Sequence, residues 1–214
     1  LLRMSDRFYA IAMVEYRPSE TAPFPAQVVD TKAAIRFLKI NASRYRVDAQ
    51  RVALWGDSSG GHTALMAGFT GDREPDMDAY REQSACVRCI VDWYGPTDIG
   101  KMNFYPSVQD HIGPESPEGC VIGGKNVLEN PELAEATVPM NYLERDKETP
   151  PLLIMHGGSD MLVPFNQSCR LYEKMKELDK TVEFVKLVGA NHGFGGFNCE
   201  EALDAVEEFI RKYI

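Results

Sequence analysis

The sequence predicts an α/β domain: a mostly parallel sheet with helices on both faces. Three observations carry that prediction. Short apolar runs of strand length alternate along the chain with stretches of helical periodicity, the rhythm of βαβ units. The 214 residues are 44% hydrophobic and 26% charged, a balance that supplies a core for one domain spanning residues 1–214. In the middle of the first half, a short strand, a Gly/Ser-rich turn and a helix follow one another without a spacer.

Taken in order, residues 8–14 (Phe-Tyr-Ala-Ile-Ala-Met-Val) read as a buried strand that ends in the polar turn at residues 17–20. Pro23 and Pro25 punctuate a loop, and Val28, Val29, Ala33, Ala34, Phe37 and Leu38 then recur at helical spacing. Residues 51–55 form a short apolar strand, and a helix begins at Gly60. Next come a strand within residues 86–93, a strand at 152–155, a helix over 167–178, a strand over 182–188 and an amphipathic helix over 201–213. Residues 96–151 break the rhythm, because eight of the 13 prolines fall there. That density forbids long helices and central strands, so the segment is expected to leave the sheet. The interspersed Phe104, Tyr105, Ile112, Val121, Ile122 and Leu143 predict an ordered, cap-like excursion.

Composition excludes several classes. Lys plus Arg number 23 against 32 Asp plus Glu, a net charge of −9, which argues against nucleic acid or an anionic membrane surface as partner. No apolar run is long enough to span a bilayer. Residues 1–7 lack a charged leader followed by an apolar stretch, which gives the expectation of a cytoplasmic location. The five cysteines are odd in number and scattered. Cys86 and Cys89 form the one tight pair and, on a single strand, would face opposite sides. No second Cys or His pair sits at zinc spacing, so no metal and no cofactor are expected.

The chemistry centres on Gly56-Asp57-Ser58-Ser59-Gly60-Gly61, which fits Gly-x-Ser-x-Gly with Ser58 in the middle. A serine on a sharp strand-to-helix turn is held in a strained conformation with its hydroxyl exposed. The flanking glycines are expected to avoid collisions, and the amide of Ser59 at the helix N-terminus is placed to bind an oxyanion. A serine hydroxyl needs a base, and a neutral imidazole needs an orienting carboxylate. Asp160 follows the strand at 152–155 and His192 follows the strand at 182–188. The order Ser58, Asp160, His192 puts all three at the carboxyl ends of strands, where sites assemble in such sheets. Asp98 is the reserve carboxylate, and Asp57 is expected to bind backbone donors at the turn. His156 is expected to be structural, His62 too near the serine in sequence to face its hydroxyl, and His111 at the surface or in the pocket.

Five segments together resemble the α/β-hydrolase esterase/lipase family: Gly56–Gly61; Tyr16-Arg17-Pro18 with Phe24-Pro25-Ala26 and Asp30; Tyr94-Gly95-Pro96-Thr97-Asp98; residues 156–164; and residues 189–193. The resemblance is greatest to the branch holding hormone-sensitive-lipase-like carboxylesterases and acetyl/feruloyl carbohydrate esterases. The stretch from Ser116-Pro117-Glu118 through Ile122-Gly123-Gly124 to Asn130-Pro131-Glu132 is similar to the latter. The resemblance implies an α/β-hydrolase fold with Ser58 as nucleophile, His192 as base and Asp160 as acid. It also implies a His-Gly-Gly-Gly-type loop that supplies oxyanion amides upstream of residues 8–14. This chain begins downstream of that loop and is expected to lack the family's first strands. One of them normally lies between the segments at 8–14 and 51–55. Loss of one oxyanion donor typically costs on the order of 10² to 10³ in turnover. The chymotrypsin-like signature Gly-Asp-Ser-Gly-Gly is a near match only, since those proteases are all-β with the histidine first in the chain.

The expected function is a serine carboxylesterase acting through an acyl-enzyme on short-chain or carbohydrate-linked esters. Its pocket is expected to be walled by the excursion together with Tyr94, Phe194 and Phe197. A small-molecule ester is the expected partner, and a sheet short of strands has a reason to form a homo-oligomer. Two alternatives are a prolyl-oligopeptidase-type peptidase and a non-catalytic α/β-hydrolase module that binds ligands.

Overall fold

A computed structural model of the chain describes residues 2–77 and 79–214. Its sheet has four strands, β1 (Ala53–Asp57), β2 (Cys89–Trp93), β3 (Leu152–Gly157) and β4 (Val182–Leu187), in the order β1-β2-β3-β4 with every pairing parallel. The inner strands are buried at every position while β1 and β4 are only partly covered. That is the pattern of a parallel sheet sandwiched between helices.

Alternating side chains divide the core in two, as strand geometry requires. Val91, Trp93, Leu153 and Met155 face α7 (Glu200–Tyr213), which buries Leu203, Val206 and Phe209 against them. Ile90, Leu152 and Ile154 face the other way. There they meet Ile35 of α1 (Ala26–Ile40), Leu65 and Phe69 of α3 (Ser59–Thr70), and Leu171 and Met175 of α6 (Asn166–Glu177). The short α2 (Ala42–Tyr45) caps the turn after α1. On α1, Lys32 and Arg36 are almost wholly buried and bind the loop that follows α3. Lys32 donates to the carbonyls of Arg73 and Pro75, and Arg36 pairs with Asp76.

The excursion at 96–151 is folded around its own small core of Ile99, Ile122, Val127 and Ala134. It holds α4 (Pro117–Val121), α5 (Pro131–Ala136) and two 3-10 turns, Ile99–Phe104 and Pro139–Tyr142. Pro117, Pro131 and Pro139 each open a helical turn, where a missing N–H costs nothing. Phe104 and Tyr105, expected to pack, are instead exposed.

Three expectations about elements are corrected. Residues 8–14 form no strand: Phe8 is 99% and Met13 73% exposed, and only Tyr9 and Ile11 pack against the core. An apolar run records a preference for burial, but a strand also needs a neighbour to complete its ladder, and none lies beside it among the described residues. The strand expected at 51–55 is shifted to Ala53–Asp57, because Arg51 donates its N–H to the carbonyl of Asp48 and stays in the preceding turn. Cys86 lies outside β2, since the N–H groups of Ala85 and Cys86 are taken by the side chains of Asp72 and Ser84. Cys86 is therefore exposed and Cys89 buried, and burial pushes the Cys89 thiol up to about 12.

Candidate active site

The site begins where β1 runs into α3. Ser58 joins them with φ 51° and ψ −123°, a left-handed conformation that a serine adopts only under constraint. Two backbone bonds impose it: the Ser58 N–H donates to the Trp93 carbonyl at 2.9 Å, and the Ser58 carbonyl accepts from the His62 N–H at 3.1 Å. Glycine is required at two neighbouring positions. A Cβ on Gly56 would lie 2.0 Å from the Gly60 carbonyl oxygen, and one on Gly61 would lie 2.3 Å from Asp92 Oδ1. Gly60, expected to be needed for the same reason, has room, since its Cβ would meet nothing closer than the Tyr16 hydroxyl at 3.8 Å. Ser59 opens α3, so its N–H belongs to the first turn, whose donors lack intrahelical acceptors. Its own hydroxyl lies 3.1 Å from that of Tyr16.

The loops after β3 and β4 bring the other two residues to this turn. His192 Nε2 is 2.8 Å from Ser58 Oγ, and its Nδ1 is 2.8 Å from Asp160 Oδ2. Asn191 Oδ1 ties the two loops together by accepting the N–H groups of Met161 at 3.1 Å and His192 at 2.8 Å. Asp160 is buried, which alone would raise its pKa. Donors from His156 and His192, the charge of His192 and the Leu162 N–H outweigh that and hold it well below the usual carboxylate range. Beneath the turn, the fully buried Asp92 takes only the Gly95 N–H among the described residues, and burial pushes it up to about 7.

Tyr94 and Phe197 line a cleft of about 500 Å³ at Ser58 and His192, together with Trp55 and Trp93. A second hollow of about 280 Å³ lies beside Ser59, between Tyr16, Phe24 and Val28 on one wall and Val121 of α4 on the other. Phe194 belongs to neither and is 78% exposed. The reason is local: Asn191 and Phe194 close a tight turn with Gly193 at φ 70°, which aims His192 inward and turns Phe194 to solvent.

The remaining candidates lie elsewhere. Asp98 is paired with Arg170 at 2.9 Å and Lys101 at 3.2 Å, away from His192. Among the described residues Asp57 binds no backbone donor and instead accepts from the Tyr94 hydroxyl at 3.3 Å, because its side chain points out from the turn toward the end of β2. His62 is turned from Ser58 and meets the Thr137 carbonyl at 2.7 Å, pinning the excursion to α3. His111 is neither at the surface nor in the pocket: it is buried against Glu118 and reaches Ser107 and the Leu162 carbonyl. His156, read from sequence as a strand-end residue, is wholly buried on β3 and touches Asp160. Among the described residues, no group of three or more His, Cys, Asp or Glu side chains is arranged to hold a metal ion.

The model of the BD-FAE family matches residues 1–175. The chain belongs to that family. Esterase LipQ of Mycobacterium tuberculosis is 26% identical over 213 residues, covering 97% of this chain and 49% of LipQ. The chain spans about half the length of the curated relatives it matches. Among solved structures, a truncated carbohydrate esterase from gut microbiota superposes with a TM-score of 0.83 at 30% identity, over 92% of this chain and 72% of that one. A bifunctional GH43-CE protein of Bacteroides eggerthii gives a TM-score of 0.82 at 31% identity, over 92% of this chain and 26% of its own. This member of the BD-FAE family therefore has an α/β-hydrolase fold.

Proposed function

We propose that this chain carries the catalytic centre of a serine carboxylesterase. The observation that carries the reading is the unbroken hydrogen-bonded series from Ser58 Oγ through His192 to Asp160 Oδ2, with both links at 2.8 Å. His192 Nε2 takes the proton of Ser58 as Oγ attacks the ester carbonyl, and the Ser59 N–H receives the developing oxyanion. The imidazolium then protonates the departing alcohol. Water, deprotonated by the same nitrogen, releases the acid and restores Ser58. Asp160 keeps His192 in the tautomer that presents a bare Nε2 to the serine.

The relatives' names support ester hydrolysis, and the carbohydrate-esterase titles of two structural neighbours favour acyl groups carried on sugars, of acetyl or feruloyl type. The test is labelling with a fluorophosphonate followed by peptide mass analysis. The reading expects a single adduct on Ser58 that vanishes in Ser58→Ala. Labelling that is absent, or that survives the substitution, would leave a binding module as the better account.

A further inference from the structure

We propose that His156 is a positioning residue for this reaction, its buried ring fixing the Asp160 carboxylate that in turn orients His192. The proposal rests on the serine-esterase reading above and adds a fourth side chain to it.

His156 lies on the interior strand β3 with no exposed surface. Its Nε2 faces two oxygens, the Val163 carbonyl at 3.0 Å and Asp160 Oδ2 at 3.2 Å, neither of which has a hydrogen to give while the carboxylate is ionised. Nε2 therefore carries the hydrogen, and Nδ1 meets the Ser168 hydroxyl at 2.7 Å. Asp160 Oδ2 is thus shared by two imidazoles, His192 at 2.8 Å and His156 at 3.2 Å. Its partner Oδ1 takes the N–H groups of Leu162 at 2.9 Å and Val163 at 3.0 Å. With four N–H groups around it, the carboxylate cannot turn about its Cβ–Cγ bond without stranding at least one of them in a buried place. Removing the His156 donor would loosen the carboxylate and concentrate its charge on His192.

The titratable groups facing this pair come from the end of β2, from the loop before α7 and from β4, while α6 presents the Ser168 hydroxyl. They are Tyr94 at the end of β2, whose ring lies 6.4 Å from that of His156 and whose hydroxyl binds Asp57, and His192 on the loop before α7. Lys186 is paired with His156 in the ladder on β4 and lies over the Phe165 ring. None of them supplies a second donor to Asp160 Oδ2 apart from His192.

The test compares His156→Leu, His156→Gln and Ser168→Ala by steady-state ester hydrolysis across pH, and by proton NMR of the hydrogen between His192 Nδ1 and Asp160. His156→Leu should lower kcat about 10- to 100-fold, the cost of a slightly misplaced catalytic group. KM should stay nearly unchanged, and the acid limb of kcat/KM should move to higher pH. His156→Gln, which returns an N–H near the position of Nε2, should recover most of the rate. If the leucine variant does not fold, Ser168→Ala carries the test, with a smaller loss and a shift of the limb in the same direction. An unchanged rate and limb in the leucine variant would overturn the proposal. Equal losses in the leucine and glutamine variants with the limb unmoved would also overturn it, since packing alone would then explain them. The NMR signal should shift in His156→Leu even if the wild-type chain turns over no ester. That combination would sink the esterase reading and leave the positioning role standing, and an unmoved signal would sink the role itself.

Discussion

The ring of Tyr94 stands edge-on to the imidazole of His192, with centroids 4.5 Å apart and planes inclined at 61°. Tyr94 also has a positive φ of 46° and packs on Phe197 at 4.6 Å, so the last residues beyond β2 form a wall against which the imidazole rests. An aromatic pair of this kind is worth about 0.5–1.5 kcal/mol beyond its buried area. Tyr94→Ala should therefore lower kcat/KM on an aryl ester by roughly 2- to 10-fold, while Tyr94→Phe keeps the ring and most of the activity. Phe194→Ala should change nothing, because that side chain faces solvent. A loss in Phe194→Ala as deep as in Tyr94→Ala would contradict the assignment of the cleft.

Asp92 makes stability depend on pH. Its carboxyl is pushed up from 3.8 to about 7 by burial, so the folded chain holds a proton there that the unfolded chain releases. The stability this contributes is complete below the ordinary carboxylate value and is lost as pH rises toward 7. Asp92→Asn should gain on the wild type steadily between pH 4 and pH 7, as read by melting temperature across that range. A constant difference across the range would show that Asp92 is ionised in the folded protein.

Arg36 and Asp76 form a pair in which each side chain is 2% exposed, at 2.6 Å. Replacing one partner strands the other, which for a buried pair costs about 3–5 kcal/mol. Arg36→Ala should fall at the low end, about 3 kcal/mol, since Lys32 remains close to Asp76. Arg36→Met combined with Asp76→Leu should recover much of the loss. Urea denaturation of the two variants measures it, and a single mutant no less stable than the double would contradict this reading of the pair.

Strands β2, β3 and β4 were legible because each is an apolar run bounded by turn residues, and α1, α3, α6 and α7 because their apolar spacing is helical. Ser58, Asp160 and His192 were legible because each follows a strand, which fixes the sheet edge to which it belongs. The segment at 8–14 misled because hydrophobicity does not encode whether a neighbouring strand is present. Phe194 misled because one left-handed glycine, Gly193, reverses the direction of the side chain after it. His156 was hidden for a related reason. As part of β3 it looks like sheet, and only the return of the loop at 157–165 brings Asp160 back over its ring.

In the proposed reaction Ser58 attacks esters with His192 as its base. The most direct test is hydrolysis of p-nitrophenyl acetate by this chain beside Ser58→Ala, at equal concentration and with folding checked by circular dichroism. The wild type should turn over the ester, and the variant should lose at least about 10³-fold. Equal rates from the two proteins would contradict that role for Ser58.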